Sequence, residues 1–365
     1  MPRDAGADLM AKRAFITGIT GQDGAYLARL LVDKGYEVHG GLRMGSSSTA
    51  RLSELDIDDR LTLHDFDLLD ITNMQHVLED VAPDEVYNLA ALSFVAASFT
   101  QPILTSNIDA LGPLRILECL RGWGAKTRFY QASTSEMFGK AQAVPQDEST
   151  PFYPRSPYGF AKLFGHWATV NYREAFHMFA CSGILFNHES PLRGLDFVTR
   201  KITLGLARIR HGLQDVVELG NLDAARDWGF AGDYVVGMWL MLQQPQANDY
   251  VLATGESHTV REFAELAGAY FGWNIVWRGT GMSEEGFDRA SGKLLICVNP
   301  TQYRPAEVES LVGRAAKATS TLGWRPQVNF STLVSMMAEA DDRRAAGSSA
   351  ARSPTPIQIG RQIEF

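Results

Sequence analysis

The sequence predicts an α/β fold: a doubly wound parallel sheet, with a smaller mixed α/β unit toward the C-terminus. Three observations carry this. Short runs rich in β-branched and aromatic residues alternate with longer amphipathic stretches through the first half of the 365 residues. Such alternation builds parallel βαβ units, whose right-handed crossovers stack helices on both faces of one sheet. A glycine-rich turn joins the first strand to the first helix, and after Asn187 the alternation gives way to long loops rich in Gly, Pro, Arg and Trp.

The first strand is "RAFIT" from Arg13, and the helix after it is "AYLARLLVDKG" from Ala25. Between them lies "GITGQDG", with Gly18, Gly21 and Gly24 at intervals of three and Thr20, Gln22 and Asp23 among them. A tight turn here lets the backbone approach a phosphate, while the helix N-terminus offers unpaired N–H groups and a partial positive charge. Three glycines alone also suit an ordinary turn; a strand before and a helix after are the context that marks a dinucleotide site. The second strand, "YEVHGGL" from Tyr36, leads into "RMGSSS". NAD sites usually place a carboxylate about 20 residues past the glycines to hold the ribose. Arg43, Ser46 and Ser47 stand there instead, which favours the 2′-phosphate of NADP, although a solvated loop arginine reads the same way.

The third strand is "LTLHDF" from Leu61, with Asp67 and Leu68 at its end beside the expected adenine. A helix, "MQHVLEDV" from Met74, precedes the fourth strand, "EVYNLA" from Glu85, which ends at Leu89, Ala90 and Ala91 with Ser93 close behind. After the helix "GPLRILECLRGWG" from Gly112, the fifth strand "TRFYQAS" from Thr127 delivers Ser133, Thr134, Ser135 and Glu136 to the carboxyl edge of the sheet. That edge is where doubly wound folds bind ligands. "ACSGILFN" from Ala180 is the sixth strand; further on, "GDYVVGMWLMLQQ" from Gly232 and "VREFAELAGAYFG" from Val260 read as helices. No internal repeat is visible.

"SPYGFAK" opens a helix with Tyr158 and Lys162 four residues apart, hence on one face. The pair alone means little, since a tyrosine packed on a lysine stem looks identical. Beside the Ser/Thr strand end it becomes a reaction centre. A lysine ammonium favours the phenolate, so the Tyr158 pKa is expected below its reference of about 10. Thr134 then holds a substrate alcohol, and Glu136 is positioned for acid and base work unless it is a surface carboxylate.

The net charge of -8 and the lack of any basic run with interleaved aromatics argue against nucleic acid. No apolar run approaches the roughly 20 residues of a membrane span, and the first dozen residues lack a secretion signal. Cys119, Cys181 and Cys297 are odd in number and without metal-ligand spacing, so no metal and a cytoplasmic setting are expected. The expected organisation is a nucleotide-binding unit over residues 12–187 that includes the Tyr158 helix and a cap over 188–345 with some segments returning to the first unit. Residues 1–11 and 346–365 are expected to be flexible tails.

The glycine turn, the Ser/Thr strand end and Tyr-x-x-x-Lys together resemble the extended short-chain dehydrogenase/reductase superfamily. More narrowly, "GITGQDGAYL", "STSEMFGK", "PFYPRSPYGFAK", "GILFNHESPLRG", "FVTRKI", "LGNLDAARDWG" and "YRPAEVE" are similar to the GDP-mannose 4,6-dehydratase family, in order from about Lys12 to Asp342. The resemblance implies a Rossmann-type domain with a substrate-binding cap and an NADP-dependent hydro-lyase. In it Tyr158, Lys162 and Thr134 serve oxidation at C4 of GDP-mannose, and Glu136 eliminates water across C5 and C6. It also implies that His188 and Arg193 belong to the nicotinamide end, although a histidine after a buried strand is often only a structural hydrogen-bonder. Ser93, Asn187, Lys201, Arg226, Arg304 and Glu307 would meet the GDP-sugar, each of which singly also suits a surface contact. A sister 4-keto-6-deoxy-sugar reductase or 4-epimerase is the alternative, and whether the product feeds GDP-fucose, GDP-rhamnose or another deoxyhexose is open. Relatives carry two adjacent arginines in the loop after the second strand; here the second is Met44 and the loop is shorter. That weakens the implied phosphate contact and the implied homotetramer relative to a homodimer, with Arg51 a candidate to compensate.

Overall fold

The computed structural model describes residues 11–43, 45, 48–124, 126–303 and 310–347. Its centre is a seven-stranded sheet. The six expected strands are β1 (Arg13–Thr17), β2 (Glu37–Leu42), β3 (Thr62–Asp65), β4 (Glu85–Asn88), β5 (Arg128–Thr134) and β6 (Ala180–Leu185). They lie in the order 3-2-1-4-5-6, every neighbouring pair parallel. The seventh strand, Asp249–Leu252, pairs parallel with β6 on its outer side. Four residues reading "DYVL" are too short a run for periodicity to separate from a loop.

Helices cover both faces. Apolar side chains of helix α1 (Gln22–Asp33) and of the helix Ala231–Gln243 share one core layer, including Leu27, Leu31, Val235 and Met238. The helices Ile71–Val81, Leu111–Trp123 and Pro157–Phe176 contribute Met74, Leu78, Ile116, Leu117 and Tyr172 to the other. Local chemistry sets their ends. Asp70 caps the Ile71–Val81 helix by accepting from the Thr72 and Asn73 N–H groups. Ser156 caps the Pro157–Phe176 helix by accepting from the Gly159 N–H at 3.0 Å, and Pro157 occupies its first turn, where a missing N–H is harmless. Arg173, near the far end of that helix, grips Asp249 with two nitrogens at 2.9 and 2.7 Å and so fastens the seventh strand.

The rest of the chain forms smaller sheets and helices around the carboxyl edge. Val217–Leu219, Ile275–Arg278, Glu285–Asp288 and Leu294–Val298 make a mixed four-stranded sheet. The helices Val198–Arg210 and Phe330–Ala345 are joined by a buried ion pair in which Arg200 Nε lies 2.8 Å from both Asp341 oxygens. Asn187–Glu189 leaves β6 and pairs with Trp228–Phe230, carrying His188 across the mouth of the nucleotide half. No helix among the described residues is long and apolar enough to cross a membrane.

Candidate active site

A crevice of about 470 Å³ opens at the carboxyl ends of β1, β2, β4, β5 and β6, within the usual range for small-molecule sites. Its floor is the glycine turn. Gly18 adopts φ +67°, and a Cβ there would lie 2.9 Å from the Ala90 backbone. A Cβ on Gly24 would sit 2.4 Å from the Gly18 carbonyl oxygen. Gly21 is the N-cap of helix α1 and no side chain caps the helix, so its first-turn N–H groups stay available to an anion. This bare cradle fits a dinucleotide pyrophosphate.

Behind the crevice runs a buried chain of hydrogen bonds. Thr17 Oγ1 donates to Asn88 Oδ1 at 2.7 Å and accepts from the Leu89 and Ala90 N–H groups at 3.1 and 3.0 Å. Asn88 Nδ2 donates to Gln131 Oε1 at 2.8 Å, and Gln131 Nε2 to the Ala132 carbonyl at 3.1 Å. The same carbonyl accepts from Lys162 Nζ at 3.1 Å. Thr17, Asn88 and Gln131 are direct register neighbours on β1, β4 and β5. Three polar residues near the ends of otherwise apolar strands were the available signal for this network, but only the register makes them one unit.

Thr134 ends β5 and its hydroxyl accepts from the Glu136 N–H at 3.2 Å, turning the chain so that Glu136 lines the crevice. Tyr158 lies in the first turn of its helix and Lys162 one turn on, and both line the same space. The expected lowering of the Tyr158 pKa is not found. Burial pushes the phenol well up, Asp109 adds to the rise, and the Thr134 hydroxyl only partly opposes it. Lys162 lies 5.8 Å from the phenol ring centroid and is itself buried, which pulls its pKa down against the pull of Asp109 and Asp23. Desolvation penalises the charged phenolate and so governs the direction of the shift. Asp109, which sequence reasoning passed over inside "SNIDALG", is buried and accepts from the Leu92 N–H at 2.9 Å.

The glycine turn is locked to the segment after β6. His188 reaches Asp23 at 2.7 Å, Gln22 donates to the His188 carbonyl at 3.1 Å, and Ser190 donates to Gln22 at 2.7 Å. Arg51 donates to the Leu192 carbonyl at 2.7 Å and the Thr20 carbonyl at 3.0 Å. Its guanidinium thus ties the glycine turn to the segment after β6. Arg193 lies 2.9 Å from Glu189 as an ion pair, with its guanidinium 3.5 Å over the Phe197 ring.

Of the other expected contacts, Thr20, Arg43, Asp67, Leu68, Leu89, Ala90, Ala91, Ser93 and Asn187 line the crevice. Lys201 and Arg226 do not: Lys201 Nζ approaches Gln302 at 3.4 Å, and Arg226 is buried with Nη1 on the Ala225 carbonyl at 2.7 Å. Ser46, Ser47, Met44, Arg304 and Glu307 lie outside the described residues.

Residues 15–337 match the family model described as GDP-mannose 4,6 dehydratase. The chain is 53% identical to GDP-mannose 4,6-dehydratase of Sinorhizobium fredii, over 90% of this chain and 96% of that protein. It is 50% identical to GDP-mannose 4,6 dehydratase of Drosophila melanogaster (93% and 88% covered) and 50% identical to that of Homo sapiens (90% and 91%). Among solved structures, UDP-glucose 4-epimerase of Thermotoga maritima superposes with a TM-score of 0.77 at 21% identity, covering 91% of this chain and 99% of that one. The dTDP-glucose 4,6-dehydratase DesIV of Streptomyces venezuelae gives 0.76 at 20%, covering 93% and 100%. These two likenesses show the fold.

Proposed function

The chain belongs to the GDP-mannose 4,6-dehydratase family, and from that premise we propose that Thr134, Glu136, Tyr158 and Lys162 carry the dehydration of GDP-mannose. The observation that supports this most is the convergence of these four side chains on one crevice above the glycine cradle. The cofactor, when bound, would supply the hydride acceptor for C4 and later the donor to C6. Tyr158 takes the proton of the C4 hydroxyl, Thr134 orients that hydroxyl, and Lys162 balances the phenolate. The C4 ketone acidifies the C5 proton. Glu136 removes it and protonates the departing 6-hydroxyl, so one water leaves. Tyr158 returns its proton to C5 as C6 is reduced, and the net change is loss of water alone.

The nicotinamide cofactor is NADP. Arg43 follows β2 where no carboxylate stands to select NAD. Gly18 to Gly24 hold the pyrophosphate, and Asp67 and Leu68 flank the adenine. Ser93 and Asn187 face the GDP-sugar, and Lys201, Arg226, Arg304 and Glu307 would be further contacts to it. His188 and Arg193 act as supports of the nicotinamide end. Residues 12–187 form the cofactor unit and 188–345 mainly the cap.

The protein works as a homodimer or homotetramer in a reducing cytoplasm. Phe160, Phe164 and Trp167, 48%, 46% and 54% exposed, recur at helical spacing on the outer face of the Tyr158 helix. Three free cysteines fit that compartment.

The deciding experiment incubates purified protein with GDP-mannose and follows product mass and absorbance at the NADPH band together. Loss of one water without lasting NADPH is expected, and Glu136→Gln should slow it at least about a hundredfold. An unchanged sugar mass would defeat the assignment.

A further inference from the structure

Asp109 closes the helix Pro102–Asp109, and its side chain is 1% exposed. Oδ1 accepts from the Leu92 N–H at 2.9 Å and so pins the loop after β4 to this helix. Oδ2 has no hydrogen-bond partner. A buried carboxylate left half-satisfied is costly unless a cation compensates it. The helix end sits directly on the Tyr158 helix, since a Cβ on Gly165 would lie 3.1 Å from the Asp109 carbonyl oxygen.

The charged and titratable groups around this carboxyl come from every packed element. Lys162 and Tyr158 stand on the Tyr158 helix against which the Pro102–Asp109 helix packs, and the field of the carboxylate acts on both without a direct hydrogen bond. Glu136 and Arg193 act on the same phenol, and Asp23 on the same ammonium. Arg115, on the following helix, is spent on the Leu68 and Asn107 carbonyls. Asp23 is committed to His188. Among the carboxylates acting on Lys162, Asp109 is therefore the one with an oxygen to spare.

We propose that Asp109 is a positioning residue of the reaction: its buried carboxylate, with one oxygen unpartnered on a helix packed against the Tyr158 helix, is the counter-charge to Lys162. This rests on the roles given above to Tyr158 and Lys162. Burial pushes the Asp109 carboxyl up, and the Lys162 ammonium draws it back toward the ionised form. Its negative charge makes both neighbours hold their protons more firmly. The two effects have one sign, so removing the charge loosens both protons together.

Asp109→Asn keeps the acceptor for Leu92 and removes the charge. Dehydration rate against pH rises as Tyr158 loses its proton and falls as Lys162 loses its own. In Asp109→Asn both limbs should move to lower pH by about one unit. Limbs that stay in place, or move to higher pH, overturn the proposal and leave Asp109 a backbone cap. Tyr158→Phe serves as the separate control: if it retains full activity, the reading of the site itself fails, whatever Asp109 does. Should the asparagine variant not fold, carboxyl ¹³C NMR titration of wild type and Lys162→Met reads the same coupling from the other side. Asp109 should be ionised at neutral pH in wild type and titrate higher without the ammonium; a carboxyl already protonated, or unmoved by Lys162→Met, overturns the proposal.

Discussion

His188 Nε2 lies 2.7 Å from Asp23 Oδ2, while Nδ1 of the same ring lies 2.7 Å from the Phe186 carbonyl oxygen. A carbonyl and a carboxylate only accept, so a ring that satisfies both carries two protons. Burial disfavours the imidazolium, yet the Asp23 charge and hydrogen bond outweigh it and raise the His188 pKa. Burial likewise works against the Asp23 carboxylate, and His188 more than reverses it. The pair fastens the first turn of α1 to the strand that leaves β6.

The sign of its pH dependence follows. His188, with a raised folded pKa, contributes fully below about 6.5 and loses that contribution as pH climbs through the folded value. Asp23, with a depressed one, contributes fully above about 3.9 and loses that contribution as pH falls through its folded value. His188→Gln should cost about 3 kcal/mol near pH 6, because it strands a buried carboxylate. Denaturant unfolding measured from pH 6 to 9 should show the wild-type advantage shrinking as alkalinity increases.

Gly24→Ala places a methyl 2.4 Å from the Gly18 carbonyl oxygen and 2.6 Å from Ile19 Cα. Backbone on both sides cannot yield without reshaping the cradle. Overpacking of this kind costs about 1–3 kcal/mol, so NADPH affinity read by fluorescence titration should fall about tenfold or more.

Replacing Arg43 by Ala tests cofactor choice. Charge-assisted contacts to a phosphate contribute about 1.5–3 kcal/mol each, so the Kd for NADPH should rise at least about tenfold while that for NADH stays nearly level. Equal loss for both cofactors would remove Arg43 from the 2′-phosphate.

Arg200→Met leaves Asp341, which is 0% exposed, without its guanidinium between the helices Val198–Arg210 and Phe330–Ala345. Stability in urea should drop by about 3–5 kcal/mol. A smaller loss would mean that Arg344 and Thr203, both bonded to Asp341, take over.

Trp167→Glu sets a charge in the middle of the exposed aromatic stripe on the Tyr158 helix. Sedimentation velocity should show monomers where the wild type shows dimers or larger species. An unaltered distribution would move the subunit contact elsewhere.

Five of the six expected strands, β1, β2, β4, β5 and β6, were legible because parallel strands buried on both faces read as plain apolar runs between amphipathic stretches; β3 lies at the edge of the sheet and is only half-buried. The Tyr158 helix was equally clear from Ser156, Pro157 and the spacing to Lys162. Other features were hidden because they depend on neighbours far away in the chain. Asp249 belongs to the sheet only because Arg173 and β6 receive it. The direction of the Tyr158 shift depends on how much water the fold removes, which no spacing encodes. Arg51, a candidate to compensate for the missing second arginine, bonds the backbone carbonyls of Thr20 and Leu192, partners that no local spacing announces.

The strand Asp249–Leu252 bears on how the protein is made. β6 is buried along its whole length, and the partner that covers its outer edge emerges from the ribosome only after much of the cap has been synthesised. Until then the nascent nucleotide half carries an open, apolar edge that invites pairing with another chain. A version cut after Asn187 should accordingly collect in inclusion bodies, and appending the missing strand in trans is the way to bring it back into solution.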